Sequence, residues 1–272
     1  GIGVGAPGVV DAASGTVLNA IHLDWHNLPL ASLLSERYRL PVQIANDSQA
    51  AALAEYLFGG CHTQANLVAI QVGRGIGCGV VLEGQLYLGD SFSAGEIGHV
   101  RAVEEGELCR CGHYGCLETV ASCTALVRIA QATALSQPEL YRTSLFSRAG
   151  ILPDNLTLEQ LAQTFRSGDR LSRQVVLAAA EHLGRAVAHL VSALNIHTVI
   201  ITGEISAFGK DFLLAVQEAA RQRILPAAAQ QLSISSGCLE ENVIILGASA
   251  LLLIKELGLH PTRFPETMDG RQ

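Results

Sequence analysis

The stretch GEIGHVRAVEEGELCRCGHYGCLE, Gly95 to Glu118, decides how the rest of this sequence is read. Within it Cys109, Cys111 and Cys116 alternate with Gly112 and Gly115, and His99 stands ten residues before the first cysteine. The pattern Cys-x-Cys-Gly-x-x-Gly-Cys supplies glycine where a backbone wrapping a metal needs unusual dihedrals, so three thiolates can converge on one point. A closed Cys3His set is what a structural zinc prefers: four tetrahedral ligands and no open position for water. The competing reading is three buried free cysteines beside a surface histidine. His113, inside the loop, competes with His99 for the fourth ligand position.

Working outward, 272 residues can bury two modest cores, and usual domain sizes favour two domains. The 18 basic and 25 acidic residues give a net charge of −7 without basic runs, which argues against a nucleic-acid surface in this stretch. Outside the knuckle, Cys61, Cys78, Cys123 and Cys238 are scattered singly, which suits a reducing cytoplasm better than a disulfide framework. No run of 18 apolar residues predicts a membrane span, and the N-terminal apolar run is broken by Gly and Pro. The one methionine is Met268 and the chain opens on a strand-like run, so the sequence reads as continuing upstream.

In order, Ile2–Pro7 reads as a Gly-punctuated strand and Val9–Asp11 with Thr16–Leu18 as a hairpin. Leu28–Arg39 has helical spacing, and Pro41–Ala45 reads as a strand. The period then switches: Asn46 is a good N-cap, and an apolar helical stripe runs from Ala50 to Phe58 until Gly59-Gly60 stops it. Asp47 therefore sits at the end of a strand and the start of a helix, where ligands gather in open α/β sheets; simple helix capping is the equal alternative. Leu67–Val72 and Cys78–Leu82 read as strands around Gly73-Arg74-Gly75-Ile76-Gly77. That turn is either a backbone cradle for phosphate or a tight hairpin. Helical patterns follow over Leu117–Leu135, a mixed insertion over 138–168, and Ser172–Asn195. A βαβ pattern closes the chain: strand Thr198–Thr202, helix Phe212–Arg223, strand Leu232–Ser235 and helix Ile244–Leu257, with a frayed tail from His260. The remaining histidines read as core or solvated side chains, and Ser91 and Ser93 lack the elbow that a nucleophilic serine needs.

Five segments coincide in order and spacing: Gly5-Ala6-Pro7-Gly8, Asn46-Asp47 before an Ala-rich helix, Gly75-Ile76-Gly77, Gly95-Glu96-Ile97-Gly98-His99, and the knuckle through Glu118. Together they resemble the ROK family, which groups sugar-responsive repressors with sugar kinases. The resemblance implies an actin-like, hexokinase-like (ribonuclease H-like) α/β fold of two domains around a central cleft. The sequence-level division is a first region over 1–120, a helix-rich second region over 121–259, and a tail over 260–272. By resemblance Asn46, Asp47, Glu96, His99 and Glu118 are sugar-hydroxyl ligands with Gly8 beside them, and Asp47 is the general base in the kinases. His99, Cys109, Cys111 and Cys116 hold structural zinc. Gly73, Gly75, Gly77 and Gly203 fall at the nucleotide site, which takes ATP with Mg2+ if the protein is a kinase.

Carboxylates and a carboxamide suit this task, because they bind vicinal hydroxyls as donors and acceptors and reject analogues that lack one. Two departures from the kinases lie at the nucleotide site. Gly73-Arg74-Gly75 replaces Gly-Thr-Gly, and Gly203-Glu204 replaces a glycine pair. The Asp-x-Gly-Gly-Thr phosphate turn of the kinases is also not in this sequence. The expectation is a cytoplasmic sugar-sensing and oligomerisation domain of a ROK regulator. It would bind a monosaccharide or amino sugar, form a homodimer or homotetramer, and contact DNA only through an upstream helix-turn-helix domain. The alternative is an ATP-dependent hexose or amino-sugar kinase.

Overall fold

The fold is taken from a computed structural model that describes residues 1–60, 65–239 and 242–258. In chain order come β1 (Ile2–Ala6), β2 (Val9–Asp11), β3 (Thr16–Ala20), β4 (Trp25–Leu28), α1 (Leu30–Tyr38), β5 (Val42–Asn46), α2 (Asp47–Phe58), β6 (Leu67–Val72), β7 (Ile76–Leu82) and β8 (Gln85–Tyr87). After the knuckle follow α3 (Leu117–Ala121), α4 (Cys123–Ser136), α5 (Pro138–Thr143), α6 (Leu145–Arg148), α7 (Leu158–Arg166), α8 (Arg170–Leu194), β9 (Thr198–Thr202), α9 (Lys210–Arg221), α10 (Pro226–Gln231), β10 (Ser233–Ser236) and α11 (Val243–Leu257). These elements form two compact units, one from Gly1–Leu67, Gly79–Gly95 and the residues from 241 on, the other from Val68–Cys78 and Glu96–Glu240. The boundary at 120 read from the sequence falls inside the second unit.

In the first unit β1 and β5 run parallel, with Val4 opposite Ile44 and Ala6 opposite Asn46. The antiparallel ladder β2-β3-β4 covers a core of Ala6, Val10, Val17, Ala20, Val42 and Ile44, against which Trp25 and Leu28 pack. α2 buries Ala50, Ala51, Ala52 and Ala54 and faces α11. The two helices approach so closely that a Cβ at Gly247 would lie 1.9 Å from the Ala50 carbonyl oxygen. Glycine in a helix interior costs about 1 kcal/mol against alanine, and here backbone contact accounts for it.

The second unit is built on the parallel strands β10, β9 and β6, with Val68 opposite Val199 and Ser233 opposite Thr198. They belong to a sheet of order β10-β9-β6-β7-β8. α8 begins where Asp169 caps the Ser172 amide, and its Gly184 lies against Ala219 of α9. Phe165, Phe208 and Phe212 form a chain of ring contacts at 5.8 and 5.9 Å. α8 is long and apolar enough by length and composition to cross a membrane, but half of its apolar window is buried within the protein, as in a core helix.

Three differences from the sequence reading have local causes. The helix expected from Leu28 starts at Leu30, because Pro29 disfavours helical dihedrals at Leu28, which instead closes β4. The helix expected over Leu117–Leu135 is broken at Ser122, whose hydroxyl accepts the Ala125 amide and starts α4 afresh. The strand expected at Leu232–Ser235 lies at Ser233–Ser236, because Leu232 ends α10, a helix opened by Pro226. The tail over 260–272 lies outside the described residues.

Replacing Gly247 with alanine should therefore destabilise the protein by about 1–3 kcal/mol through overpacking. A lower urea midpoint is expected; a rise, as on an exposed helix, would show that α2 and α11 are not in backbone contact.

Candidate functional site

The knuckle is shaped by backbone before any ligand is considered. His99 ends a short helical turn at Ile97–His99, seated where a Cβ on Gly98 would come within 2.1 Å of the Ile76 carbonyl oxygen. Isolated bridges pair Arg101 with Cys116 and Leu108 with Tyr114. Gly112 and Gly115 take φ of +91° and +71°, and a Cβ on Gly115 would lie 2.0 Å from the Val103 carbonyl oxygen, so neither turn accepts another residue easily.

This backbone brings His99, Cys109, Cys111 and Cys116 together with one ligand atom from each within 4.8 Å of all the others. Cys109 Sγ is 3.6 Å from His99 Nδ1, and Cys111 Sγ is 3.6 Å from Cys116 Sγ. A tetrahedron with Zn–S of about 2.3 Å and Zn–N of about 2.0–2.1 Å has edges of about 3.5–3.8 Å, so these separations fit a zinc-sized centre. The three thiols are not electrostatically alike. Burial raises Cys109 and pushes Cys116 up to about 12. Burial also opposes ionisation of Cys111, but the His113 amide and ring and the neighbouring thiols outweigh it and hold that thiol down at about 6. One thiolate is thus favoured and its neighbours disfavoured, as expected of like charges crowded without a cation. His113 has its Nδ1 3.6 Å from Cys111 Sγ but is exposed and outside the converging set.

In the same unit His99 turns its other nitrogen, Nε2, to Glu96 at 3.8 Å. Glu118, near the start of α3, accepts the Ile76 amide at 3.1 Å and so latches the Gly73–Gly77 turn. Two further bonds hold that turn: the Cys123 amide to the Gly73 carbonyl at 2.9 Å, and the Thr124 hydroxyl to the Arg74 carbonyl at 3.1 Å. The Gly73 amide is used internally, on the Gly75 carbonyl. Two of the turn's amides, those of Gly73 and Ile76, are therefore already engaged. Gly203 takes φ of +95° with its missing Cβ facing the Val72 carbonyl. The Glu204 carboxylate reaches within 3.5 Å of where a Gly73 Cβ would sit, and its charge adds to the burial that pushes Cys123 up to about 12. Glu204 also lines a cavity of about 350 Å³ with Cys123, Thr124, Val127, Arg128, Gln131 and Leu158.

The first unit carries the other sequence-predicted ligands. Asn46 Oδ1 accepts the Ser48 and Gln49 amides at 2.9 and 3.0 Å as N-cap of α2, and its Nδ2 donates to the Gly8 carbonyl at 2.8 Å. With both acceptor sites taken, Asn46 keeps one N–H for a ligand. Asp47 Oδ1 accepts the Ser48 amide and hydroxyl, and Oδ2 takes no hydrogen bond among the described residues. Burial lifts the Asp47 carboxyl above its ordinary value of 3.8, against the pull of the Ser48 hydrogen bonds.

Asn46, Asp47 and Gly8 are thus grouped on one unit, and Glu96, His99, Glu118 and the glycine turns on the other. Sequence reasoning missed the Glu118 latch and the Arg128 side chain, which pairs with Glu107 of the knuckle and donates to the Thr119 carbonyl at 2.7 Å. It also missed Gln49, a polar residue in an alanine stripe.

Solved structures place this chain in the actin-like, hexokinase-like α/β class. A ROK family glucokinase from Streptomyces griseus, in complex with glucose and AMPPNP, superposes with a TM-score of 0.83 at 31% identity, covering 92% of this chain and 80% of its own. A ROK family transcriptional regulator, a homologue of the E. coli MLC protein, gives 0.82 at 30% identity, covering 94% and 62%. The ROK family model matches residues 1–255, and the chain belongs to that family. The xylose repressor of Caldicellulosiruptor bescii is 35% identical over 98% of this chain, which spans 64% of the repressor's length. The glucokinase of Halalkalibacterium halodurans is 33% identical over 94% of this chain and 77% of its own.

Two outcomes are expected. Purified protein should carry one zinc per chain that is lost in Cys111→Ser and kept in His113→Ala; metal loss in His113→Ala would replace His99 as fourth ligand. A folded-state pKa above the unfolded one means that charging Asp47 costs stability as pH rises from 3.8 through the folded value. Asp47→Asn should therefore raise the thermal midpoint at pH 7, with the gain fading as pH falls toward 3.8. A gain that persists in acid would show that it does not come from the carboxylate.

Proposed function

We propose that this chain is the sugar-binding effector and oligomerisation domain of a ROK transcriptional regulator. The observation that carries the choice is the turn at Gly73–Gly77, already bonded at two of its amides and with the Glu204 carboxylate beside it. With Glu204 beside Gly73 and two of the turn's amides engaged, an incoming phosphate would meet a carboxylate and a depleted set of donors. Arg74 replaces the small hydroxyl that the resemblance leads one to expect there. The relatives do not choose between the readings, since a repressor and a glucokinase match at 35% and 33% identity.

In this reading a monosaccharide or amino sugar is bound through its hydroxyls by Asn46, Asp47, Glu96, His99 and Glu118, with Gly8 held in place by Asn46. A zinc held by His99, Cys109, Cys111 and Cys116 would supply structural charge and fix the His99 ring, leaving Nε2 on the ligand side. Signalling requires only that sugar bind one of two states of the regulator more tightly than the other. DNA contact falls to a separate helix-turn-helix domain, in keeping with the −7 balance of this chain, and assembly is as a homodimer or homotetramer.

One observation favours the second reading, an ATP- and Mg2+-dependent sugar kinase. Asp47 has an oxygen that takes no hydrogen bond among the described residues and a carboxyl raised by burial, as a general base taking a proton from a sugar hydroxyl would have.

Calorimetry with glucose, xylose and N-acetylglucosamine should give binding at millimolar concentration or better for at least one of them; binding of none removes the sensor reading. An ADP-release assay on the full-length protein with ATP and Mg2+ should show no turnover. Rates of about 1–100 per second, abolished by Asp47→Ala, would make the protein a kinase.

A further inference from the structure

Gln49 lies two residues beyond Asp47 in the first turn of α2 and is 2% exposed. An amide in so buried a place is unfavourable unless its groups find partners. Gln49 Nε2 donates to the Phe92 carbonyl at 3.2 Å and reaches the Ala94 carbonyl at 3.5 Å. Two carbonyls on one side settle the amide's orientation, because the reversed amide would set oxygen against oxygen. Its own Oε1 is buried and takes no donor among the described residues. The side chain is thus committed through its donors to the segment after β8.

That segment carries backbone strain of its own. Phe92 has φ of +61°, a left-handed conformation that costs a bulky L-residue roughly 1–2 kcal/mol. Its other ties, Ala94 amide to Leu88 carbonyl at 3.2 Å and Ser93 hydroxyl to Ser91 carbonyl at 3.1 Å, stay within the segment. Gln49 joins it to the helix. A strained residue persists only where its surroundings over-determine it, and such residues collect at functional sites. The segment ends at Gly95, directly before Glu96.

We propose that Gln49 is a positioning residue of the sugar site: it locks Phe92–Gly95 to the helix turn that carries Asp47. Without its two donors Phe92 relaxes out of the left-handed region, and the chain leading into Glu96 loses its fixed starting point. The proposal rests on the reading that Asp47 and Glu96 bind sugar hydroxyls. Glutamate at this position would face two carbonyls with acceptors while ionised. Once protonated it regains one donor.

The test uses Gln49→Ala, Gln49→Asn and Gln49→Glu in the full chain, with hydrogen exchange of the Phe92–Gly95 amides and calorimetry with whichever of glucose, xylose and N-acetylglucosamine the wild type binds. Gln49→Ala should speed exchange in this segment tenfold or more without sugar, and weaken sugar binding tenfold or more, with zinc content unchanged. Gln49→Asn, one methylene short of spanning both carbonyls, should lie between. Gln49→Glu should improve relative to Gln49→Ala in holding the segment, read by hydrogen exchange, as pH falls; a side chain that only fills space would leave that ratio flat. Unchanged exchange in Gln49→Ala and Gln49→Asn, or faster exchange with unchanged sugar affinity, overturns the proposal. If the wild type binds none of the three sugars, the sensor reading falls and the positioning role falls with it, while the exchange rates still report whether Gln49 holds the segment.

Discussion

Three thiols and an imidazole confined within 4.8 Å of one another set a charge problem that the surrounding chain must solve. Burial disfavours thiolate at Cys109 and Cys116, while hydrogen bonds from His113 and the neighbouring thiols favour it at Cys111. A doubly charged soft metal removes the conflict, and in doing so would turn a loop of glycines and short bridges into a rigid element. Rigidity there has reach. The knuckle continues without a break into α3, so the position of Glu118, and through it the Ile76 amide, is fixed from the same point. Arg128 ties Glu107 of the knuckle and Thr119 of α3 to α4.

At the start of α2 the governing constraint is hydrogen-bonding capacity. Asn46 serves as helix cap and as clamp on Gly8, which uses three of its four bonds. Asp47 is half committed to Ser48. What these residues can offer a ligand is therefore small and directional, a single N–H and one carboxylate oxygen. Such a set discriminates by hydroxyl geometry more than by bulk, because a ligand that misplaces one group leaves a buried partner unsatisfied.

Much of this was legible in the sequence because local chemistry is conspicuous there. The Cys-Gly spacing announced a knuckle, and the switch of period at Asn46 announced a cap. What escaped depends on partners far away in the chain. Gln49 looks like one polar residue on an alanine helix until Phe92 and Ala94 are seen beside it. Glu118 shows its part as a latch only when its bond to the Ile76 amide appears, and Glu204, a carboxylate already placed at the nucleotide site by the sequence, gains a neighbour in Gly73. β4 was hidden for a local reason: Trp25–Leu28 runs into a helical pattern, and only Pro29 marks the border. A division at residue 120 follows the order of the sequence, which the compact units do not.

The first unit draws its strands and α2 from the beginning of the sequence and α11 from residues 243–257. Gly3 and Gly247 press against Ala248 and Ala50, so this late helix is in backbone contact with β1 and α2. During synthesis on the ribosome the N-terminal segments must therefore wait, with the α2 face that α11 covers still exposed, until almost all of the sequence has been made. The second unit, drawn from residues 68–78 and 96–240, is synthesised in full before α11, so it can close while the first unit still lacks its last helix.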